Sequence, residues 1–504
     1  MQLFRTKSVE QTIAETGEEG RKLKRNLTWW DLSIMGVAVA VGAGIFSVGA
    51  QAAAFHAGPA VIISFLIAGI VCGAAVMCYA EFASMIPVAA FTYTTVGEIM
   101  AWIIGWDLIL EMLMAGSVIS KYWGVYLNDF MRLMGWNANT NLAFGSFHID
   151  IAPIIIVAFF TTLLVFGTKI GARVDGAMTV LKIAIVFFVV IVGFFYVKAS
   201  NFTPFIPPSQ PASTVEGSSA VTGVMTQPLW QFATGMTPSV YGVPGILSGA
   251  ALVFFAFIGF DVVATASEET KNPHKNVPLG IGVGMLLIIV MYMLVAVVTT
   301  GMVSYADLAK QDSPSLATAF ELVGADWAAK IISFGIVLGL ATVVMVLLLG
   351  LTRIVFAMSR DGLLPRGLSK TGKHGTPAAL QIVVGAVVAL VAAFFDIGVL
   401  SDMVNIGTLS AFTLVAISIP IMRKKRPDLP RAFKMPGDPW IPILIAVANF
   451  WLMLNLSVLT WIRFVVWLVV GVAIYFGYGY WHARLGKGDL TETLSAETDK
   501  AVNG

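Results

Sequence analysis

The side chains of this chain that could do chemistry are few, and they lie inside long apolar stretches. Asp107, Glu111, Lys182 and Asp261 fall within such stretches, while Glu81, Glu98, Glu268 and Glu269 fall nearer their ends. A charge at the centre of a bilayer is costly unless it is paired or hydrated, so such residues mark paths for ions or substrates. Lys182 is either a brace that hydrogen-bonds carbonyls of neighbouring helices or a proton-coupling group answering to a nearby carboxylate. Glu111 and Asp261 are its candidate exchange partners. Asp107, beside Trp106, is expected to be interfacial and structural.

The backbone offers a second kind of chemistry. Gly42-Ala43-Gly44 interrupts the apolar run Leu32–Phe55, and Gly259 interrupts a later run through Phe254–Asp261. A glycine costs a helix about 1 kcal/mol relative to alanine and lets the chain leave helical geometry. At membrane depth the backbone unwinds only where protein or a wet cavity satisfies its N–H and C=O groups. Close helix packing is the other use of such glycines, and the two interruptions taken together favour unwinding. Unwinding at Gly42 and Gly44 frees N–H groups at the start of a second half-helix, which suit a carboxylate. Unwinding around Ala256–Gly259 frees carbonyls, which suit an ammonium. A zwitterion held across both breaks satisfies its two ends without buried charged side chains. Phe255 is the candidate gate, with Phe257 and Phe260 flanking the second break. Thr342 and Met345, in a later apolar segment, are core filler or set the volume of a pocket.

The elements that must position these groups are helices of membrane length. Of 504 residues, 58% are hydrophobic and 12% charged, with a mean hydropathy of +0.85; soluble domains carry about 25% charged residues. Apolar segments fall at about 32–55, 60–84, 97–127, 151–167, 175–197, 246–267, 278–301, 327–357, 378–395, 401–421, 440–459 and 462–482. The reading is an all-α integral membrane protein of twelve transmembrane helices. Interrupted helices 1 and 6, five spans apart, are the pattern of a five-plus-five inverted repeat, with two C-terminal helices outside it. Residues 32–197 form the first repeat and 246–421 the second; 440–482 are the added pair. Of 31 basic residues, 24 fall in segments on one side, including the tail 1–31, the basic loop 422–439 and the tail 483–504. That bias places both termini in the cytoplasm of a multi-pass cell-membrane protein. The Pro- and Gly-rich stretch 198–245 lies outside, as a lid or, preferably, an ornament, with a short helix at Leu229–Phe232. A second short helix is expected at Pro314–Phe320.

Composition and motifs exclude other classes. A net charge of +2 does not call for nucleic acid. Cys72 and Cys78 lack the neighbours of a disulfide or metal site and are read as buried thiols. No Gly-x-x-x-x-Gly-Lys-Ser/Thr stretch holds nucleotide, which argues against an ATP-driven pump. Single buried charges do not line a channel, and no nucleophile or metal cluster points to an enzyme. No metal or other cofactor is expected.

Several motifs together resemble the amino acid–polyamine–organocation transporters, closest to bacterial relatives of the cationic amino acid transporters. These are Gly42-Ala-Gly-Ile-Phe46, Met77 to Pro87, Gly105 to Glu111, Phe255 to Asp261 with Glu268 to Pro273, Thr352 to Pro365 and Arg426 to Arg431. The resemblance implies alternating access. It places the substrate carboxylate at the backbone of Ala43 and Gly44 and the amino group at carbonyls near Ala40, Phe255 and Ile258. Phe255 would occlude the site and Met345 would face the substrate side chain. Lys182 matches the fifth-helix lysine that replaces sodium in proton-coupled members, and Glu111 and Asp261 match acidic positions near the pathway. The chain departs from the pattern after Pro87, where a common glycine is missing, and in the length of 198–245. The expected function is uptake of a small neutral amino acid such as alanine with a proton, in contact with membrane lipid. An amino acid exchanger and a cationic amino acid or polyamine transporter are the alternatives. Oligomeric partners are not indicated.

Overall fold

A computed structural model describes residues 27–42, 44–85, 98–136, 140–144, 147–166, 171–214, 223–260, 263, 270–311, 314–360, 362–370, 376–425, 427, 431 and 433–482. The first helix, α1 (Trp29–Ala40), begins at a reciprocal cap. The Thr28 side chain accepts from the Asp31 N–H, and the Asp31 carboxylate accepts from the Thr28 N–H at 2.8 Å. The same apolar segment resumes as α2 (residues 44–57), which is wide-turned at Gly44–Val48 and again at Ala53–Ala57. There follow α3 (Val61–Met85), α4 (Glu98–Leu133), α5 (Ile151–Phe166) and α6 (Gly171–Phe194). After the stretch 198–241 come α7 (Gly242–Val253), tightening into a 3-10 turn at Phe254–Phe257, and α8 (Pro273–Met302). The chain continues through α9 (Asp326–Arg360), α10 (Ala378–Phe394), α11 (Ile397–Lys425), α12 (Trp440–Leu454) and α13 (Val458–Ile474). Among the described residues, six helical segments are long and apolar enough to cross a membrane, and further apolar helices of 10–17 residues accompany them.

Small residues set the packing. The long helices α4 and α9 run antiparallel: Gly105 lies against Met358, Met112 against Gly350, Gly116 against Leu347, and the Phe130 ring 5.4 Å from Phe334. Elsewhere α1 presses against α8, where a Cβ at Gly280 would collide with Leu32 and one at Gly284 would crowd Phe260 and Ser33. The Ser33 hydroxyl lies within hydrogen-bond reach of the carbonyls of Gly280 and Trp29. At the N-terminal end of α4, Trp102 donates to the carbonyl of Gly471, and Trp106 stacks on Trp467 at 4.5 Å, fastening α13 to the bundle.

The structure departs from the sequence reading in four places. First, the connection after α4 carries an antiparallel hairpin, β1 (Asn141–Phe144) and β2 (Phe147–Asp150); four-residue alternations are too short to stand out in the sequence. Second, α7 starts at Gly242, inside the stretch read as loop, because Pro244 sits in a first turn that needs no proline N–H. Third, the stretch 198–245 is more regular than its composition announces. The strands β3 (Gln210–Pro211) and β4 (Ser239–Val240) pair, and the expected short helix forms, at Leu229–Thr234. Leu229 donates to Leu456, Val458 donates to Gln227, and Trp230 donates to Asn455, while Tyr241 donates from its backbone to His56 and from its hydroxyl to Ala54. These bonds sew the stretch to the α12–α13 turn and to α2. Fourth, Asp107 is more enclosed than its neighbour Trp106 suggests: it lies nine residues into α4, is almost fully buried by protein, and accepts a hydrogen bond from Ser410 of α11.

A buried ion cluster locks the ends of α3 and α11 to the segment after it. The fully enclosed Glu81 carboxylate pairs with the Arg423 guanidinium and accepts from the Met435 N–H at 2.6 Å, with Arg431 3.7 Å away. Arg423 also reaches Asp438 and the Met435 carbonyl. Removing one partner leaves the other charge buried, at a cost of about 3–5 kcal/mol. Arg423→Met is therefore expected to lower the melting temperature of the detergent-purified protein sharply, and adding Glu81→Gln should restore part of the loss. An unchanged melting curve for the single variant would contradict the lock.

Candidate functional site

The site is built where two helices stop. At the end of α1, Val41 is extended (φ −70°, ψ 93°), and the chain turns helical again at Gly44. Beyond α7 the 3-10 turn ends at Ile258, also extended (φ −63°, ψ 141°), and Gly259 has φ +91°, a conformation that favours glycine. The two interruptions interlock. A Cβ on Gly44 would overlap the backbone of Ala256, one on Gly259 would meet Val39, and one on Gly36 would enter the ring of Phe260. Ala40, Val41, Phe255 and Ala256 are all buried there. Three helix ends converge: the N-terminal end of α2 offers N–H groups, and the C-terminal ends of α1 and α7 offer carbonyls.

The bonds around these ends are specific. Tyr292 of α8 sets its hydroxyl 2.6 Å from the Ala40 carbonyl oxygen and 2.7 Å from that of Ala256. The Phe255 carbonyl accepts from the Ile258 N–H at 3.3 Å, and the Cys72 thiol points at the Phe257 carbonyl from 3.9 Å. In α2, the first wide turn gives its Phe46 carbonyl to the Tyr126 hydroxyl at 2.6 Å. The tyrosines were missed by the sequence reading. Their signal was present: a tyrosine in a membrane-length apolar segment must find an acceptor for its O–H.

Lys182, on α6, is almost fully buried; its stem lies against Gly339 of α9, and its ammonium donates to the Ala38 carbonyl in the last turn of α1 at 3.3 Å. Thr342, whose hydroxyl donates to the Gly339 carbonyl, and the buried Met345 follow on α9. Glu111 is buried on α4 next to Met112, which packs on Gly350. Gly339 and Gly350 are eleven residues apart, about 16 Å along a helix at 1.5 Å per residue. Lys182 and Met112, the neighbour of Glu111, therefore meet α9 at different depths. Ala43 and Asp261 lie outside the described residues, as do Glu268 and Glu269.

These features define a multi-pass helical membrane protein whose buried centre is made of main-chain groups at two helix breaks. The chain belongs to the amino acid permease family, within the amino acid–polyamine–organocation superfamily, whose model matches residues 27–478. It is 41% identical over 497 residues to a branched-chain amino acid permease of Bacillus subtilis, covering 96% of this chain and 99% of that one. It is 38% identical over 499 residues to a methylthioribose transporter of the same organism, with the same coverage. To a cationic amino acid transporter of Arabidopsis thaliana described as mitochondrial, it is 35% identical over 421 residues, 81% of this chain and 64% of the relative. The chain is a transporter and not an enzyme, and these likenesses support amino acid transport.

Proposed function

We propose that this protein takes up an amino acid together with a proton by alternating access, across a cell membrane with both termini in the cytoplasm. The observation that carries the reading is the contact of Gly44 with Ala256, which brings one positive and two negative helix ends to a single buried place. A zwitterion matches that pattern of charge. Its carboxylate sits on the N–H groups of Ala43 and Gly44, and its ammonium on carbonyls at Ala40, Phe255, Ala256 and Ile258. Phe255 closes over it. The helices fall into a five-plus-five inverted repeat, with α12 and α13 outside it and the apolar side chains on the rim of the bundle facing lipid. Lys182 carries the coupled proton at the end of α1, and Glu111 and Asp261 receive it farther along the path.

The substrate is a neutral aliphatic amino acid, from alanine to the branched chains. The buried, uncharged Met345 supports this, and so does the likeness to a branched-chain permease. The test is uptake into proteoliposomes of L-alanine, L-leucine, L-arginine and methylthioribose, each driven by an inside-alkaline pH gradient. Concentrative uptake of the first two is expected; uptake that needs amino acid preloaded inside, with no response to the gradient, would replace symport by exchange. Met345→Ser should enlarge the side-chain pocket and improve competition by L-phenylalanine about tenfold. An unchanged competition profile would remove Met345 from the pocket.

A further inference from the structure

The Tyr292 hydroxyl has one proton and two carbonyls within 2.7 Å, so it cannot give a full hydrogen bond to both. Its two acceptors are placed alike. Ala40 is the last residue of α1, and Ala256 lies in the 3-10 turn that ends α7. Each therefore belongs to the C-terminal end of a half-helix, where carbonyls lack intrahelical donors and the dipole concentrates partial negative charge. The phenol is fully enclosed, and its ring packs edge-on to Phe65 at 5.6 Å and tilted on Phe257 at 5.1 Å. Two negative helix ends aimed at one buried point form a place that favours a cation, and one neutral O–H answers only half of it.

We propose that Tyr292 builds the ammonium subsite: its single proton ties the two carbonyls into one acceptor pair and leaves acceptor capacity for the amine of a bound amino acid. Each carbonyl oxygen has two lone pairs, so Ala40 and Ala256 can hold the phenol and the ammonium together. Without the hydroxyl the two oxygens repel and turn apart, and the amine meets a misaligned pair. Because the bond spans α1 and α7, it also fixes the spacing of the two breaks. This rests on the reading of the breaks as the substrate site.

Tyr292→Phe keeps the ring and its packing and removes only the hydroxyl. In proteoliposomes its KM for L-leucine is expected to rise about fivefold, the worth of one net hydrogen bond, with Vmax within about twofold of wild type. An unchanged KM overturns the proposal, as does a fall in Vmax and melting temperature at constant KM, which marks a merely structural link. If Tyr292→Phe does not fold, Tyr292→Lys carries the test. It sets a fixed ammonium of similar reach between the carbonyls, so L-leucine binding is expected to vanish from a protein that still melts cooperatively; retained binding overturns the proposal. A wild-type protein that neither binds nor transports L-leucine or L-alanine would instead sink the substrate site itself.

Discussion

Gly44→Ala is expected to abolish amino acid uptake while the protein still inserts and purifies. The added methyl has nowhere to go: it would overlap the Cα of Ala256, and backbone cannot swing aside as a flexible side chain does. Overpacking of this kind costs roughly 1–3 kcal/mol of stability, which a bundle of this size tolerates. The consequence for transport is larger, because the displaced atoms are those of the proposed site. Pushing Ala256 away moves its carbonyl relative to Ala40, and shifts the first free N–H of α2 in the opposite sense. A misplacement of about 1 Å in a positioning site can cost a hundredfold. L-leucine uptake should therefore fall to background, with a monodisperse elution profile and helical content near wild type. Gly282→Ala serves as the control, since a Cβ there meets open space and transport should be unaffected. Wild-type uptake by Gly44→Ala would mean that the two breaks are packing features and not a site.

How much of this was open to reading in the sequence depends on the kind of residue. The glycines where α1 and α7 stop stand out, because each is a costly choice in an apolar segment, and Gly259 at φ +91° has a use that few other residues could fill. Tyr292 does not stand out. Its need for an acceptor is visible, but the acceptors lie 252 and 36 residues away and exist only once both helices have unwound. The enclosure of Asp107 is hidden for a similar reason: its partner Ser410 is 303 residues distant. The stretch 198–241 looks loose in the sequence because many of the bonds that hold it run through the main chain, which leaves no trace in residue type, and its side-chain partners Asn455 and Ala54 lie far along the chain. Burial of Lys182 could be read from its apolar neighbours, but the choice of the Ala38 carbonyl could not, since it depends on how α6 crosses α1.

Lys182→Met is expected to uncouple transport from the pH gradient without destroying the site. Methionine keeps an unbranched stem against Gly339 and removes the charge and its bond to Ala38. In the wild type the ammonium sits against the C-terminal turn of α1, where a cation is favoured by the dipole and by carbonyls without intrahelical donors. On the proposed coupling, loss of the proton would weaken that hold and release α1 relative to α6 and α9, so that protonation of one side chain biases the position of a half-helix. A pH difference of one unit supplies about 1.4 kcal/mol per proton, enough for about tenfold accumulation at zero membrane potential. With the potential clamped, wild-type vesicles should concentrate L-leucine by that order. Those carrying Lys182→Met should only equilibrate it, and their exchange of labelled for unlabelled L-leucine should persist. Exchange is the decisive control, because it uses the same breaks but needs no net proton movement. Accumulation that survives with its pH dependence intact would leave Lys182 as a brace between α6 and α1, and the proton would have to be carried by Glu111 or Asp261.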